Sequence, residues 1–284
     1  MAVDVNRLHT EGLYESRAPV AALTADLEQI QQLATAWHQA RRRLAKGAAL
    51  AFGVGVICFA TGTLWFLGTV LFGLGGWFLY RMKNYPKTVA NRGERCAFGK
   101  SLAAMIAADA APEAMAVFRL AFTAQQETLS EGPLAGRKNG KEKLWKESWF
   151  SVEAGLCDGT TFSETIDDLF RQRSFTNARG KSKTKTRKQS IIAMRLDYPS
   201  EIYGDLTPFR DRMQKEIQLP PGSAVRALEV SGKAVKVKAL SEPGTAESLA
   251  QASSMLALGV YRILNLSRQV EARKRAQTKP GGPQ

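Results

Sequence analysis

At 284 residues the chain has room for one folded domain, an apolar segment and flanking helices, and its formal charge of +14 points to anionic partners, either lipid headgroups or nucleic acid. Its three cysteines, Cys58, Cys96 and Cys157, are odd in number and lack CxxC spacing, which excludes a disulfide framework and a zinc site and fits a reducing cytoplasm. The two histidines, His9 and His38, stand apart and make neither a metal site nor a catalytic pair, so no metal or cofactor is expected.

Residues 1–19 show no periodicity, end at Pro19 and read as a flexible lead. A helix is predicted over 20–46. Leu23, Leu27, Ile30, Ala34, Trp37 and Leu44 fall on alternating steps of four and three, broken only by Arg41. This seam would pack on the chain's own domain or serve a partner or a second copy.

Residues 47–80 contain no charged side chain. One straight helix of that length would span roughly 50 Å, against a hydrocarbon core of about 30 Å. A transmembrane hairpin fits better, with Thr61, Gly62 and Thr63 as the turn and 44–60 and 64–80 as the legs; a re-entrant wedge that bends the bilayer, or one kinked span, is the alternative. Basic residues flank the run on both sides: Arg41, Arg42, Arg43 and Lys46 before it, Arg81, Lys83 and Lys87 after it. By the positive-inside rule both ends then face the cytoplasm, and the expected location is a bacterial inner membrane. The predicted interface anchors are Arg41, Arg42, Arg43, Lys46, Trp77, Tyr80, Arg81 and Lys83. Glycines 53, 55, 68, 73, 75 and 76 allow close helix approach, or simply follow membrane composition. With no ionisable group inside, the run reads as an anchor rather than a transport pathway. It starts too far in and is too long for a secretory signal.

Residues 88–143 read as a helical connecting region, with helices over 101–111 and from Pro112 through Phe122, then a flexible Gly-rich loop over 130–143. Residues 144–240 read as a β-rich α+β domain. Trp145, Trp149, Phe150 and Val152 suggest a strand, and Asp158-Gly159 a turn. Residues 163–173 fit a short helix or a strand. Residues 191–196 form an apolar strand and 206–217 a helix. Val225–Val230 and Ala234–Leu240 form a hairpin in which Val235 and Val237 alternate with Lys236 and Lys238. Residues 245–273 give a long amphipathic helix, and 274–284 a basic, disordered tail.

The sharpest soluble feature is the basic segment 179–188. In an extended strand, Lys181, Lys183, Lys185 and Arg187 share one side and Ser182, Thr184 and Thr186 the other, with Lys188 following. Such a strand could lie along lipid headgroups or along a nucleic-acid backbone, or be a solvated tip whose charge blocks edge pairing. Asp158, Asp167 and Asp168 have no histidine near them in sequence, and no phosphate loop, nucleophile elbow or zinc motif is present, so no catalytic residue is assigned and an enzyme is not expected.

The order of an early helix, an apolar hairpin, Asp158-Gly159-Thr160, a basic insertion, an apolar strand and a late Val-Lys-Val hairpin resembles an uncharacterised bacterial family of two-pass membrane proteins with a cytoplasmic α+β domain. The resemblance covers residues 25–270 and implies fold and placement, not an activity. The expected fold is therefore an α+β membrane protein: an N-terminal helix running into a transmembrane helical hairpin, then a cytoplasmic α+β domain with a long C-terminal amphipathic helix. The expected role is a membrane-anchored scaffold docking a protein partner, anionic lipid headgroups or both, with a partner or a second copy met through 20–46 and 245–273; a membrane-shaping hairpin, or a nucleic-acid binder acting through 179–188, is the alternative.

Overall fold

Eight strands, most with in–out alternation, pack against helices in the computed structural model, which describes residues 3–62, 65–111, 113–123, 125–134, 140–176 and 181–278. The strands are β1 Leu13–Pro19, β2 Met115–Ala121, β3 Gln126–Pro133, β4 Lys141–Gly155, β5 Thr161–Thr176, β6 Ser182–Asp197, β7 Ser223–Val230 and β8 Ala234–Ser241. They form one antiparallel sheet in the order β1-β2-β4-β5-β6-β8-β7, with β3 pairing β4 beyond the end of β2. Phe118, Phe150, Phe162, Ile166, Ile192, Leu196 and Val237 all point to one face and are buried there. The opposite face carries Glu15, Arg119, Glu153, Thr165, Arg195 and Lys236 and is open.

Helices α1 Val5–Thr10, α2 Val20–Ala60, α3 Trp65–Met82, α4 Lys87–Asn91, α5 Glu94–Asp109, α6 Ser200–Tyr203, α7 Arg210–Glu216 and α8 Ala246–Thr278 complete the chain. The first half of α2, with α5 and α8, covers the apolar face of the sheet. The seam residues Leu23, Leu27, Ile30 and Ala34 are buried in this layer, as are Leu249, Ala252, Leu256 and Ile263 of α8. Both amphipathic faces are therefore occupied within the chain.

The protein is thus a mixed α+β fold with a large antiparallel sheet and one long apolar helix near its N-terminus. That helix, α2, is the one helix among the described residues long and apolar enough to cross a membrane, with a window of mean hydropathy 1.6 of which 22% is buried. The second half of α2 and all of α3 lie antiparallel off the sheet, Gly55 facing Phe72 and Gly75 facing Phe52.

Several sequence expectations change. The lead is not flexible throughout: residues 5–10 are helical and 13–19 form an edge strand, with Tyr14 and Ala18 turned inward and Glu15 and Arg17 outward. The stretch opened by Pro112 is not a helix but strand β2, because Ala116, Phe118 and Leu120 find buried partners beside Ala154, Val152 and Phe150. Residues 163–173 belong to β5. The sheet therefore begins at residue 13, not 144, and the helix at 20–46 is part of its core. The loop at 130–143 is shorter than expected, as β3 reaches Pro133 and β4 starts at Lys141; α8 runs on to Thr278. Thr63 of the expected turn, residues 135–139, Arg179 and Gly180, and residues 279–284 of the expected disordered tail lie outside the described residues.

Candidate functional site

Strands β4, β5 and β6 are 15, 16 and 16 residues long, and helices cover only part of that length. In β6 the inward positions Ser190, Ile192, Met194 and Leu196 are buried, whereas residues 182–187 are all exposed. The uncovered length, with its partners in β4 and β5 and with β3 on its flank, forms a free-standing β arm.

Cross-strand register decides what this arm presents. Arg171 lies opposite Arg187, Arg173 opposite Lys185 and Phe175 opposite Lys183, so these side chains share the face turned away from the helices. Five cations thus stand together: Arg171, Arg173, Lys183, Lys185 and Arg187. Glu142 accepts from Arg171 Nε at 2.6 Å and Arg173 Nε at 2.7 Å, and these two bonds hold its carboxyl down at about 2. It therefore stays ionised and spaces the two guanidinium groups. Thr184 faces the other way, its hydroxyl 3.2 Å from that of Ser174. Lys181 precedes the strand, in line with Lys183 by alternation.

Lys188 is separated from this set. It sits on the helix side, with Nζ 2.9 Å from the buried carboxylate of Asp168 and 6.0 Å from the Phe170 ring. Asp168 also accepts from Ser190 Oγ at 2.8 Å and from Arg95 at 3.3 Å. Arg95 lies 4.8 Å from the Trp149 ring, and burial, aided by the nearby charge of Arg92, pulls its guanidinium down to about 10. It remains protonated at neutral pH. This buried network locks the root of the arm to α5. Beside Lys188, Trp145 and Phe170 stack at 5.0 Å with planes 6° apart.

Contacts also give the arm its direction. Leu13 pairs Ala121 at one end of β1, and Gly12 accepts the Phe122 amide there. At that end His9 of α1 meets Trp37 edge-on at 6.1 Å and hydrogen-bonds the Asn84 carbonyl at 2.8 Å. The apolar half of α2 and the whole of α3 extend beyond this point. Since Leu120 pairs Phe150 and Ala116 pairs Ala154, β4 runs toward the same end as its numbers fall. From Ala154 to Lys141 the strand covers roughly 40 Å of contour. From Val20 to Lys46 the helix also climbs roughly 40 Å. The basic arm and the basic flanks of the apolar helices therefore leave the sheet at one end.

Among the flanking residues, Arg42, Arg43, Lys46, Lys83, Trp77 and Tyr80 are exposed. Arg81 lies 5.5 Å from the Trp77 ring. Arg41 is half-buried and structural: its guanidinium donates to the carbonyls of Met82 at 3.0 Å and Tyr85 at 2.6 Å, closing the end of α3. Sequence reasoning did not find Arg171, Arg173, Glu142 or the Trp145–Phe170 stack, because only strand pairing brings them beside the basic segment. The alternation of Arg171, Arg173 and Phe175 was the available signal. Compared with models of known families, with characterised proteins and with solved structures, the chain matches none.

Proposed function

We propose that the protein is a membrane-anchored interaction module whose β arm docks on anionic headgroups of the leaflet that its basic flanks touch. In this reading the second half of α2 and α3 cross the bilayer of a bacterial inner membrane as a two-pass hairpin, and the sheet domain stands in the cytoplasm to receive a protein partner. The legs are short: an 18-residue helix such as α3 is ~27 Å long, and local bilayer thinning absorbs a few ångströms of mismatch. Support comes from exposure. Most of the exposed large apolar side chains among the described residues, including Leu50, Ile57, Trp65, Phe66 and Val70, lie on these two helices. A buried core helix would hide them.

The observation that carries the docking role is the shared end of the sheet: five cations stand on one arm face, at the end from which the apolar helices and their exposed cations extend. Each cation near an anionic surface is worth about 1 kcal/mol. The test uses the full chain in nanodiscs, because β1 and α2 belong to the core and a fragment starting at residue 88 would lack them. A fluorophore on Thr186→Cys, in a Cys157→Ser background, should be quenched by headgroup-linked quenchers in discs containing phosphatidylglycerol. The effect should fall away in pure phosphatidylcholine and in the triple change Lys183, Lys185 and Arg187→Ser. Equal quenching in both lipids would refute headgroup docking. Nucleic acid is the second reading, favoured by the Trp145–Phe170 stack beside Lys188. Tighter binding of an oligonucleotide than of anionic lipid by the same discs would establish it.

A further inference from the structure

The end of the sheet opposite the arm holds a cavity of about 480 Å³, set between the C-terminal end of α5, the β4–β5 turn and the middle of α8. Its size falls in the range of small-molecule sites, about 300–1,000 Å³. One wall is apolar, built from Ile106, Leu156, Phe162 and Leu258. The other end is polar. The β4–β5 turn is made by Gly159 at φ 81°, a left-handed conformation suited to glycine, and it aims Asp158 into the space.

Asp158 is held in place from two sides. It accepts the Thr160 amide at 2.9 Å on one oxygen and the Tyr203 hydroxyl at 2.6 Å on the other. Each carboxylate oxygen keeps capacity for a further bond. Beside it, the Tyr261 and Thr160 hydroxyls are shielded from solvent and close enough to interact with each other, but neither completes a well-formed hydrogen bond. Buried polar atoms are ordinarily paired, so this end of the cavity has room for a further hydrogen-bonding group, and the Asp158 carboxylate favours one that donates. Asp109 adds a second carboxylate to the lining, and Arg268 a single guanidinium. Burial first, with the charge of Asp158 behind it, raises both phenols, Tyr203 to about 12, so neither ring adds negative charge.

We propose that this cavity binds a small organic ammonium: a primary amine whose charged head sits between Asp158 and Tyr261 and whose apolar body lies against Ile106, Leu156, Phe162 and Leu258. An –NH₃⁺ group brings three donors and no acceptor, which suits two carboxylate oxygens and a phenol oxygen. The phenol rings offer it their negative faces as well. An anionic ligand would meet Asp158 and Asp109 directly.

The protein carries its own reporter. Cys157 lines the cavity and is exposed, while Cys58 and Cys96 are buried, so a neutral alkylating reagent will address Cys157 first. Full-length protein in micelles is titrated with phenethylammonium, the alcohol 2-phenylethanol and the anion 3-phenylpropionate. Phenethylammonium should slow Cys157 alkylation and bind by calorimetry, about tenfold or more tighter than either analogue, the margin of one charge-assisted hydrogen bond. Tyr261→Phe keeps the wall and removes only the hydroxyl, and should weaken the ammonium about tenfold without loss of fold. Asp158→Asn should remove the preference for the cation. Binding of the propionate as tight as that of the ammonium, no protection by any of the three, or unchanged affinity in both variants would overturn the proposal.

Discussion

Glu164 is a carboxylate placed where water cannot follow. It points from β5 into the core under α8, with one oxygen accepting the Ser253 hydroxyl at 2.7 Å and the other without a partner. Burial pushes its pKa up from 4.5 to about 7, against a smaller downward pull from Ser253. Between these values the folded chain holds a proton that the unfolded chain has released. Unfolded molecules then bind fewer protons, so stability falls as pH rises from about 4.5 to 7 and is level above. The charged form costs the folded state on the order of 3 kcal/mol at pH 8. Glu164→Gln should match the parent near pH 4.5 and exceed it by that order at pH 8. Thermal unfolding in detergent across this range checks the sign, and a variant with the parent's slope would show that another group drives it. The cavity end of the molecule works differently: Asp158 is fixed by Tyr203 and Thr160, and its neighbours rather than its own burial define what it can bind.

The helical pair shows what an element adds to its residues. A Cβ placed on Gly55 would meet the Phe72 ring at 2.8 Å, and one on Gly68 the Phe59 ring at 2.9 Å, whereas nothing stands within 4 Å of Gly53, Gly73 or Gly76. Gly55→Leu and Gly68→Leu should therefore splay the pair and destabilise it by about 1–3 kcal/mol. Gly53→Leu and Gly73→Leu should leave unfolding temperatures in detergent unchanged. In the sequence these glycines look alike, because which of them faces a phenylalanine depends on the mutual rotation of two helices. The arm poses the same difficulty. Lys183, Lys185 and Arg187 were legible as one face, since a period of two needs no partner to be seen. Arg171 and Arg173 join them only through the β5–β6 register, whereas Lys188, one residue on from Arg187, falls on the opposite face, where it pairs with Asp168. β2 escaped detection for a related reason: the run Met115–Ala121 suits a helix or a strand, and its pairing with β1 and β4 decides.

At the scale of the whole molecule, the sheet separates two kinds of surface. One end carries the apolar helices, their cationic flanks and the basic arm; the other carries the cavity with Asp158 and Cys157. If the apolar helices form a two-pass hairpin, Gly62 lies at the far side of the bilayer and Cys157 on the near side with the sheet. A membrane-impermeant maleimide then distinguishes them in one experiment on intact spheroplasts. Gly62→Cys in a Cys157→Ser background should label from outside without permeabilisation. In the parent protein Cys157 should label only after the membrane is opened. Arg81 and Lys83 after α3 give a second reading of the same geometry, since with Arg42, Arg43 and Lys46 they must lie on one side. Replacing Arg42, Arg43 and Lys46 by Ser weakens one flank while leaving Arg41 to close α3, and should lower insertion yield without reversing the sheet. Labelling of Cys157 from outside in the parent would place the sheet beyond the membrane, and with it both the arm and the cavity.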